Sequence, residues 1–199
     1  MKRIITFILA VAMLASILVL SSCGLMQSKV EKMASKVIDA KSLTIVYIDD
    51  DGDEEIFMID LKNKMFAYIE EDDEEGYFWY DEENDKYYEA YVEDDEVKKY
   101  ELTKAEFAFY YDELFGDFLD EMVGYTKLVD LMEEEKGVYS YTYEYYDEDV
   151  KVEFKVEDNA LVMTEFFGDY ESTYKVYDIN KTEIEIPQDV LDAKAEKDD

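Results

Sequence analysis

The chain has 199 residues, 53 of them acidic against 20 basic, a net charge of −33 and no histidine. That charge repels nucleic acid, anionic headgroups and anionic wall polymers, and the sequence offers no basic patch or arginine cluster to read phosphate. The missing histidine removes the commonest general base and metal ligand, and a lone cysteine forbids an internal disulfide. Yet 48% of the chain is apolar and 16% aromatic. This is too rich for an acidic disordered chain, so one domain with a packed core under an acidic coat is expected.

In chain order, the first segment has the anatomy of a secretory signal. Lys2 and Arg3 supply its positive end, and Ile4 to Leu20 is apolar except for Thr6 and Ser16. Leu20-Ser21-Ser22-Cys23 follows, with Gly24 behind it. This tetrad resembles the lipobox of bacterial lipoproteins. The resemblance implies that residues 1–22 are a cleaved signal and that Cys23 carries a diacylglycerol. It implies an extracytoplasmic, membrane-anchored protein. The competing reading is an uncleaved anchor, since the apolar stretch sits at the lower limit of roughly 17–25 residues for a spanning helix. Removing residues 1–22 takes away Lys2 and Arg3 but no acid, so the remainder is more negative still.

Residues 23–27 read as a short lipidated tether, residues 28–188 as the folded domain and residues 189–199 as a frayed, charged C-terminal tail. Ser28 is placed to cap a helix over Lys29–Ala40, with Val30, Met33, Val37 and Ile38 on one stripe. The period then shifts to two. Strands are expected at Leu43–Ile48, Ile56–Ile59, Met65–Glu70, Tyr77–Asp81, Lys86–Val92 and Val97–Leu102, joined by short acidic turns. Connections this short make antiparallel hairpins, not parallel crossovers.

Thr103-Lys104-Ala105-Glu106 is a capping box. It opens a helical stripe containing Phe107, Tyr110, Tyr111, Leu114, Phe115, Phe118, Leu119, Met122 and Val123. Thr126 is placed to start a further short helix ending near Gly137. Five more strands are expected: Val138–Tyr146, Val150–Val156, Leu161–Phe167, Ser172–Ile179 and Thr182–Ile186, closed by Pro187. The fold class is therefore α+β, a curved antiparallel sheet of two meanders with helices on its concave side. Val152 to Val162, Tyr174 to Asn180 and Ile184-Glu185-Ile186-Pro187 resemble the closing strands of the outer-membrane lipoprotein carrier superfamily. That resemblance implies an incomplete barrel with an apolar cavity, and it transfers no residue with a chemical role. The acidity departs from what a carrier of anionic lipids would be expected to show.

Several clusters have two readings. Asp49-Asp50-Asp51-Gly52-Asp53-Glu54-Glu55 suggests a calcium loop. With Gly52 at its sixth position, however, Tyr47 and Met58 fall at positions one and twelve, where ligands are needed. A hairpin turn with charged tips is the plainer reading, and Glu70–Glu75 is similar. Tyr139, Tyr141, Tyr143 and Tyr145 alternate, so they share one strand face. They are either ordinary cross-strand packing or a binding platform. The stripe from Phe107 to Val123 is either core or cavity lining.

The residues that would line a cavity are Phe107, Tyr111, Leu114, Phe115, Phe118 and Met122, with Trp79. No Gly-x-Ser-x-Gly elbow or phosphate-binding glycine loop occurs. Neither an enzyme, a cofactor, a metal nor a nucleic-acid partner is therefore expected. The expectation is a monomeric binding module for an apolar or amphiphilic ligand such as lipid. The alternative is a structural or interaction lipoprotein whose core is filled by its own side chains.

Overall fold

The computed structural model describes residues 28–70, 74–94, 96–112, 116, 124, 128–146 and 148–196. Helix α1 runs over Lys29–Ile38 behind a reciprocal capping box. The Ser28 hydroxyl accepts from the Glu31 amide at 3.1 Å, and the Glu31 carboxylate accepts from the Ser28 amide. Its buried stripe is Val30, Ala34 and Val37. Ile38, expected on that stripe, is 38% exposed. At about 100° per residue it lies well off the line through Val30 and Val37, and Ala34 takes the inward place.

Eleven strands form one open antiparallel sheet. They are β1 (Ser42–Ile48), β2 (Glu54–Asp60), β3 (Met65–Ile69), β4 (Glu75–Asp81), β5 (Lys86–Glu93), β6 (Glu96–Leu102), β7 (Glu133–Glu135), β8 (Val138–Tyr145), β9 (Glu148–Glu157), β10 (Ala160–Phe167) and β11 (Tyr170–Tyr177). Their spatial order is β6-β5-β4-β3-β2-β1-β11-β10-β9-β8-β7. The one non-consecutive pairing is β1 on β11, with Ile45 opposite Val176. An open sheet of this width curls under its own twist.

Turn chemistry sets the hairpins. Lys136 and Gly137 both have positive φ (55° and 85°), as do Asp158 and Asn159 (47° and 66°). Each pair is a two-residue turn whose twist matches its flanking strands. Asp60 and Asp81 start two similar turns: each accepts backbone N–H groups two and three residues on, and the side-chain amide of Asn63 or Asn84.

Two hydrophobic clusters result. The larger takes Leu43, Ile45, Ile59, Phe66, Phe78 and Phe154 from the strands and Val30, Ala34 and Val37 from α1. Helix α2 (Lys104–Tyr111), capped by Thr103, adds Phe107, Tyr110 and Tyr111 to it. The smaller holds Ala67, Tyr77, Trp79 and Ala90, covered by Ile184, Ile186 and Val190.

Three expectations fail. Glu133–Glu135 is not the end of a helix: after a short 3-10 turn at Val129–Leu131 it is the edge strand β7. Its three glutamates are exposed, a charged edge that resists pairing with another chain. Thr182–Ile186 joins no strand ladder, because β1 and β11 already have partners on both edges. Instead the Thr182 hydroxyl lies 2.9 Å from that of Thr44, and the segment crosses the sheet. The tail expected to fray forms helix α3 (Gln188–Asp192), with Val190 fully buried. Apolar burial at that one residue, backed by Ile184 and Ile186, ties the segment down.

Candidate functional site: an aromatic layer and a lysine-rimmed groove

The strand parity that places Phe66 opposite Phe78 builds an aromatic layer under α2. The two rings stack at 4.4 Å. Phe107 lies 5.0 Å from Phe66 and 4.9 Å from Tyr87, and Tyr111 lies 5.7 Å from Phe66. Tyr110 and Tyr91 flank Phe78 at 5.6 and 6.0 Å. Of the residues expected to line a cavity, the structure therefore brings Phe107 and Tyr111 together, in contact with the sheet. Leu114, Phe115, Phe118 and Met122 lie outside the described residues, as do Leu20, Ser21, Ser22 and Cys23. Trp79 does not join them. Adjacent strand residues point to opposite faces, so Phe78 faces α2 while Trp79 belongs to the cluster under α3.

A carboxylate sits within this layer. Glu89 is 6% exposed and accepts from the Tyr91 hydroxyl at 3.0 Å. Burial, reinforced by Glu89, pushes the Tyr91 phenol well above its ordinary range. Burial and then Glu70, Glu74 and Glu89 push Tyr68 up to about 12. Both phenols stay protonated donors at any physiological pH. They line a small cavity of about 260 Å³ with Glu74, Glu75, Glu93 and Lys98 on its walls.

The tyrosine row divides. Tyr139, Tyr141 and Tyr143 pack against the main core, with Tyr141 and Tyr143 stacked at 6.2 Å. Tyr145 packs instead with Tyr146 and Phe167. At the acidic loop, Asp49 Oδ1 accepts the amides of Asp51, Gly52 and Asp53, each at 2.9 Å. The carboxylate oxygens of Asp49, Asp50 and Asp51 lie within 4.8 Å of one another. One oxygen of Asp49 is thus committed to the turn, which is the hairpin geometry the sequence favoured.

The largest recess among the described cavities is a groove of about 520 Å³ between the start of α1 and the β7–β8 and β9–β10 turns. Val30, Val138, Tyr139 and Val156 give it an apolar side, and Lys29, Lys136 and Lys155 with Glu134 and Glu157 give it a charged one. Lys155 pairs with Glu157 at 2.8 Å and Lys136 with Glu135 at 3.3 Å. The Lys155 partner holds the Glu157 carboxyl below its usual range, helped by Lys175. The sequence shows no basic patch here because Lys29 is more than a hundred residues from Lys136 and Lys155 in the chain. The one local signal is the excess of lysine in α1. An apolar side with a charged rim can seat an amphiphile with a polar head.

No protein-family model matches the chain, and no curated protein matches it. Among solved structures the chain is similar to PNGF-II in C2 and in P21 space groups, each at 8% identity and a TM-score of 0.28. The matches cover 79% of this chain but only 30% and 31% of those chains. The chain thus spans less than a third of their length, and a likeness of that degree carries neither fold nor activity across.

Proposed function

We propose that this protein is a lipid-anchored, extracytoplasmic binding module for an amphiphilic ligand, held to the membrane through Cys23. The half-barrel consists of two meanders, β1–β6 and β7–β11, joined by the β1–β11 ladder, with α1 and α2 on the concave side. The observation that carries the reading is the groove: about 520 Å³, apolar along Val30, Val138, Tyr139 and Val156, and rimmed by three lysines and two glutamates. Its first lining residue, Ser28, is five positions after Cys23. The chain has no histidine and its only cysteine is the expected lipidation site. The module is read as non-enzymatic, without cofactor or metal, and monomeric.

Native mass spectrometry of the lipidated protein extracted from its membrane tests the ligand. A bound amphiphile that is lost on Val156→Asp supports the reading, and an empty protein that also fails to take up added amphiphile refutes it. Acyl labelling tests the anchor. Cys23→Ala should abolish it, and label retained on Cys23→Ala would remove the anchor from the proposal.

A second reading has its own observation. Phe107 and Tyr111 already lie 5.0 and 5.7 Å from Phe66, so this part of the space under α2 is filled by the protein itself. That favours a structural or interaction lipoprotein with no small ligand. It predicts that substitutions in the groove leave function unchanged while substitutions on an exposed face do not.

A further inference from the structure

The two faces of the sheet differ in charge. The ladders put Tyr47, Tyr68, Tyr91 and Tyr174 on the face that packs against α1 and α2, together with Glu55, Glu89 and Glu165. Lys86, Lys99, Lys151 and Lys175 fall on the opposite face by strand parity. Among the described strand residues, only Lys98 brings a positive charge to the inner face. Within that face Gly76 lies between Tyr68 and Tyr91 in consecutive ladders. The two tyrosines wall the cavity of about 260 Å³, and Glu74, Glu75 and Glu93 line it with them. Glu89 adds a fourth carboxylate behind the wall, bonded to the Tyr91 hydroxyl. Lys98 is the one cation in the lining, paired with Glu93 at 3.4 Å through side chains that are both about half exposed.

We infer that this cavity is a binding site for an organic ammonium ion, seated against the Tyr68 and Tyr91 rings and held by Glu74 and Glu93. Aromatic rings attract cations through their quadrupole, and four carboxylates against one lysine make the local potential negative. The protein's own ammonium groups show the same preference. Lys64 Nζ lies 3.9 Å from the ring centroid of Tyr80, whose hydroxyl donates to Asp85 at 2.7 Å. Lys99 Nζ settles over Trp79 and Tyr88. Tyr91 on Glu89 repeats the tyrosine–carboxylate unit of Tyr80 on Asp85, and here the unit opens on a cavity. A bare calcium ion suits the site less, because it takes six or more oxygen ligands and two of the walls are rings. The exposed Lys98–Glu93 pair is weak, so an incoming ammonium can take Glu93 from it. The site lies on β3–β6, apart from the groove beside α1, and depends on neither that groove nor Cys23.

Titration calorimetry of the full chain in a non-ionic detergent, in about 0.1 M sodium chloride, tests this with propylammonium and tetramethylammonium chloride. Both should bind saturably at one site, while further sodium chloride gives only heat of dilution. Glu74→Gln and Glu93→Gln should each weaken binding roughly fivefold, the effect of one charge at about 4 Å in water. Lys98→Met should tighten it by a similar factor, because the competing ammonium is gone. Tyr91→Leu, checked by circular dichroism for an intact fold, should lose most of the affinity for tetramethylammonium. Glu135→Gln, on the edge strand β7, should change nothing.

Heats that never saturate overturn the site. So does weakening by Glu135→Gln equal to that by Glu93→Gln, which would reduce the effect to diffuse screening of the acidic coat. Affinity unchanged in Tyr91→Leu overturns it as well, since the carboxylates alone would then suffice. A free amine and a lipid headgroup offer the same chemistry, and competition separates them. Displacement of tetramethylammonium by choline but not by phosphatidylcholine vesicles supports the site for a free ion, and displacement by both supports it for a headgroup. The outcome is independent of the groove: Val156→Asp, which tests the amphiphile, should leave tetramethylammonium binding as it is.

Discussion

The ring of Tyr68 lies flat across Gly76, its partner in the β3–β4 ladder. A Cβ built on Gly76 would stand 2.2 Å from Tyr68 Cε1 and 2.5 Å from Cζ. The glycine has no turn to make here. It leaves the room in which Tyr68 lies down, and this brings the ring to the edge of the aromatic layer, 6.5 Å from Phe78. Aromatic side chains are known to compensate glycine's loss of strand stability in this way.

Gly76→Ala should therefore destabilise the protein, although alanine is the better strand residue. Expelling the ring from a packed position costs about 1–3 kcal/mol. In Tyr68→Ala the same glycine substitution should be neutral or favourable, since the obstacle is gone. Chemical denaturation of the four proteins of this cycle gives the coupling. An additive cycle would mean that the ring is not held by the glycine.

Phe66 is the hub of the layer, 1% exposed and in contact with Phe78, Phe107 and Tyr111. Phe66→Ala should cost about 3–5 kcal/mol, and Phe66→Leu markedly less. Hydrogen exchange should show the amides of α2 opening first, because α2 rests on this layer and buries no residue completely. Unchanged protection in α2 would show that the helix is held by something else.

Much of this architecture was legible in the chain. The six strand segments before Thr103 and the four between Val138 and Ile179 fall on observed strands to within two or three residues, because alternation and acidic turns mark them independently. The Thr103 capping box and the Ser28 cap are present as read, and Glu31 completes a second box at Ser28. What misled was local pattern without knowledge of which edges were free. Thr182–Ile186 alternates like a strand, but β1 and β11 leave it no ladder to join. Trp79 was misplaced for a different reason. Tyr77, Phe78 and Trp79 are all buried, so β4 shows no polar face, and parity alone cannot say which side takes the helix. The groove was illegible because Lys29 on α1 meets Lys136 and Lys155 of the β7–β8 and β9–β10 hairpins only once the chain is folded.

The pH dependence of stability should have a maximum on the acid side of neutrality. Burial first, then Glu70 and Asp49, push the Glu55 carboxyl up. A raised acid binds its proton more tightly in the folded state, so its contribution grows as pH falls and is lost as pH rises through the folded value. Asp81, Glu106 and Glu157 behave oppositely. Hydrogen bonds from Asn84 lower the first, the Thr103 amide and hydroxyl the second, and Lys155 the third. Their contribution is present above the ordinary carboxylate range and lost as pH falls through their lowered values. Thermal melts should rise from pH 7 toward about pH 5 and fall below about pH 4. A steady decline from pH 7 downward would refute this balance.

Asp49 separates a turn from a metal site. Its Oδ1 accepts three amides, a role an asparagine oxygen can keep. Asp49→Asn should therefore leave stability unchanged or raise it, by relieving repulsion with its neighbours, while Asp49→Ala should lose about 1 kcal/mol. Calcium should raise the melting temperature of wild type and Asp49→Asn alike, through diffuse screening of the net −33 charge. Calorimetry showing a stoichiometric, micromolar site in wild type that vanishes in Asp49→Asn would turn the loop into a metal centre.

Lys99 fastens the C-terminal segment to the sheet. It is 8% exposed, lies 4.9 Å from the Tyr88 ring centroid and 5.1 Å from that of Trp79, and donates to the Leu191 carbonyl at 2.7 Å. Burial pulls its amine below the ordinary range, while Asp81 and Asp192 hold it up. The amine thus covers two rings and satisfies a carbonyl in the last turn of α3 at once. Lys99→Ala should cost about 1–3 kcal/mol and expose the only tryptophan in the chain. Its emission should shift to the red, and the amides of Leu191 and Ala193, bonded to Pro187 and Asp189, should exchange faster. Lys99→Met keeps the stem over the rings but loses the donor, so it should free the amides while moving the emission less. If Lys99→Ala leaves both signals where they are, α3 is held by the apolar burial of Val190, Ile184 and Ile186 without Lys99.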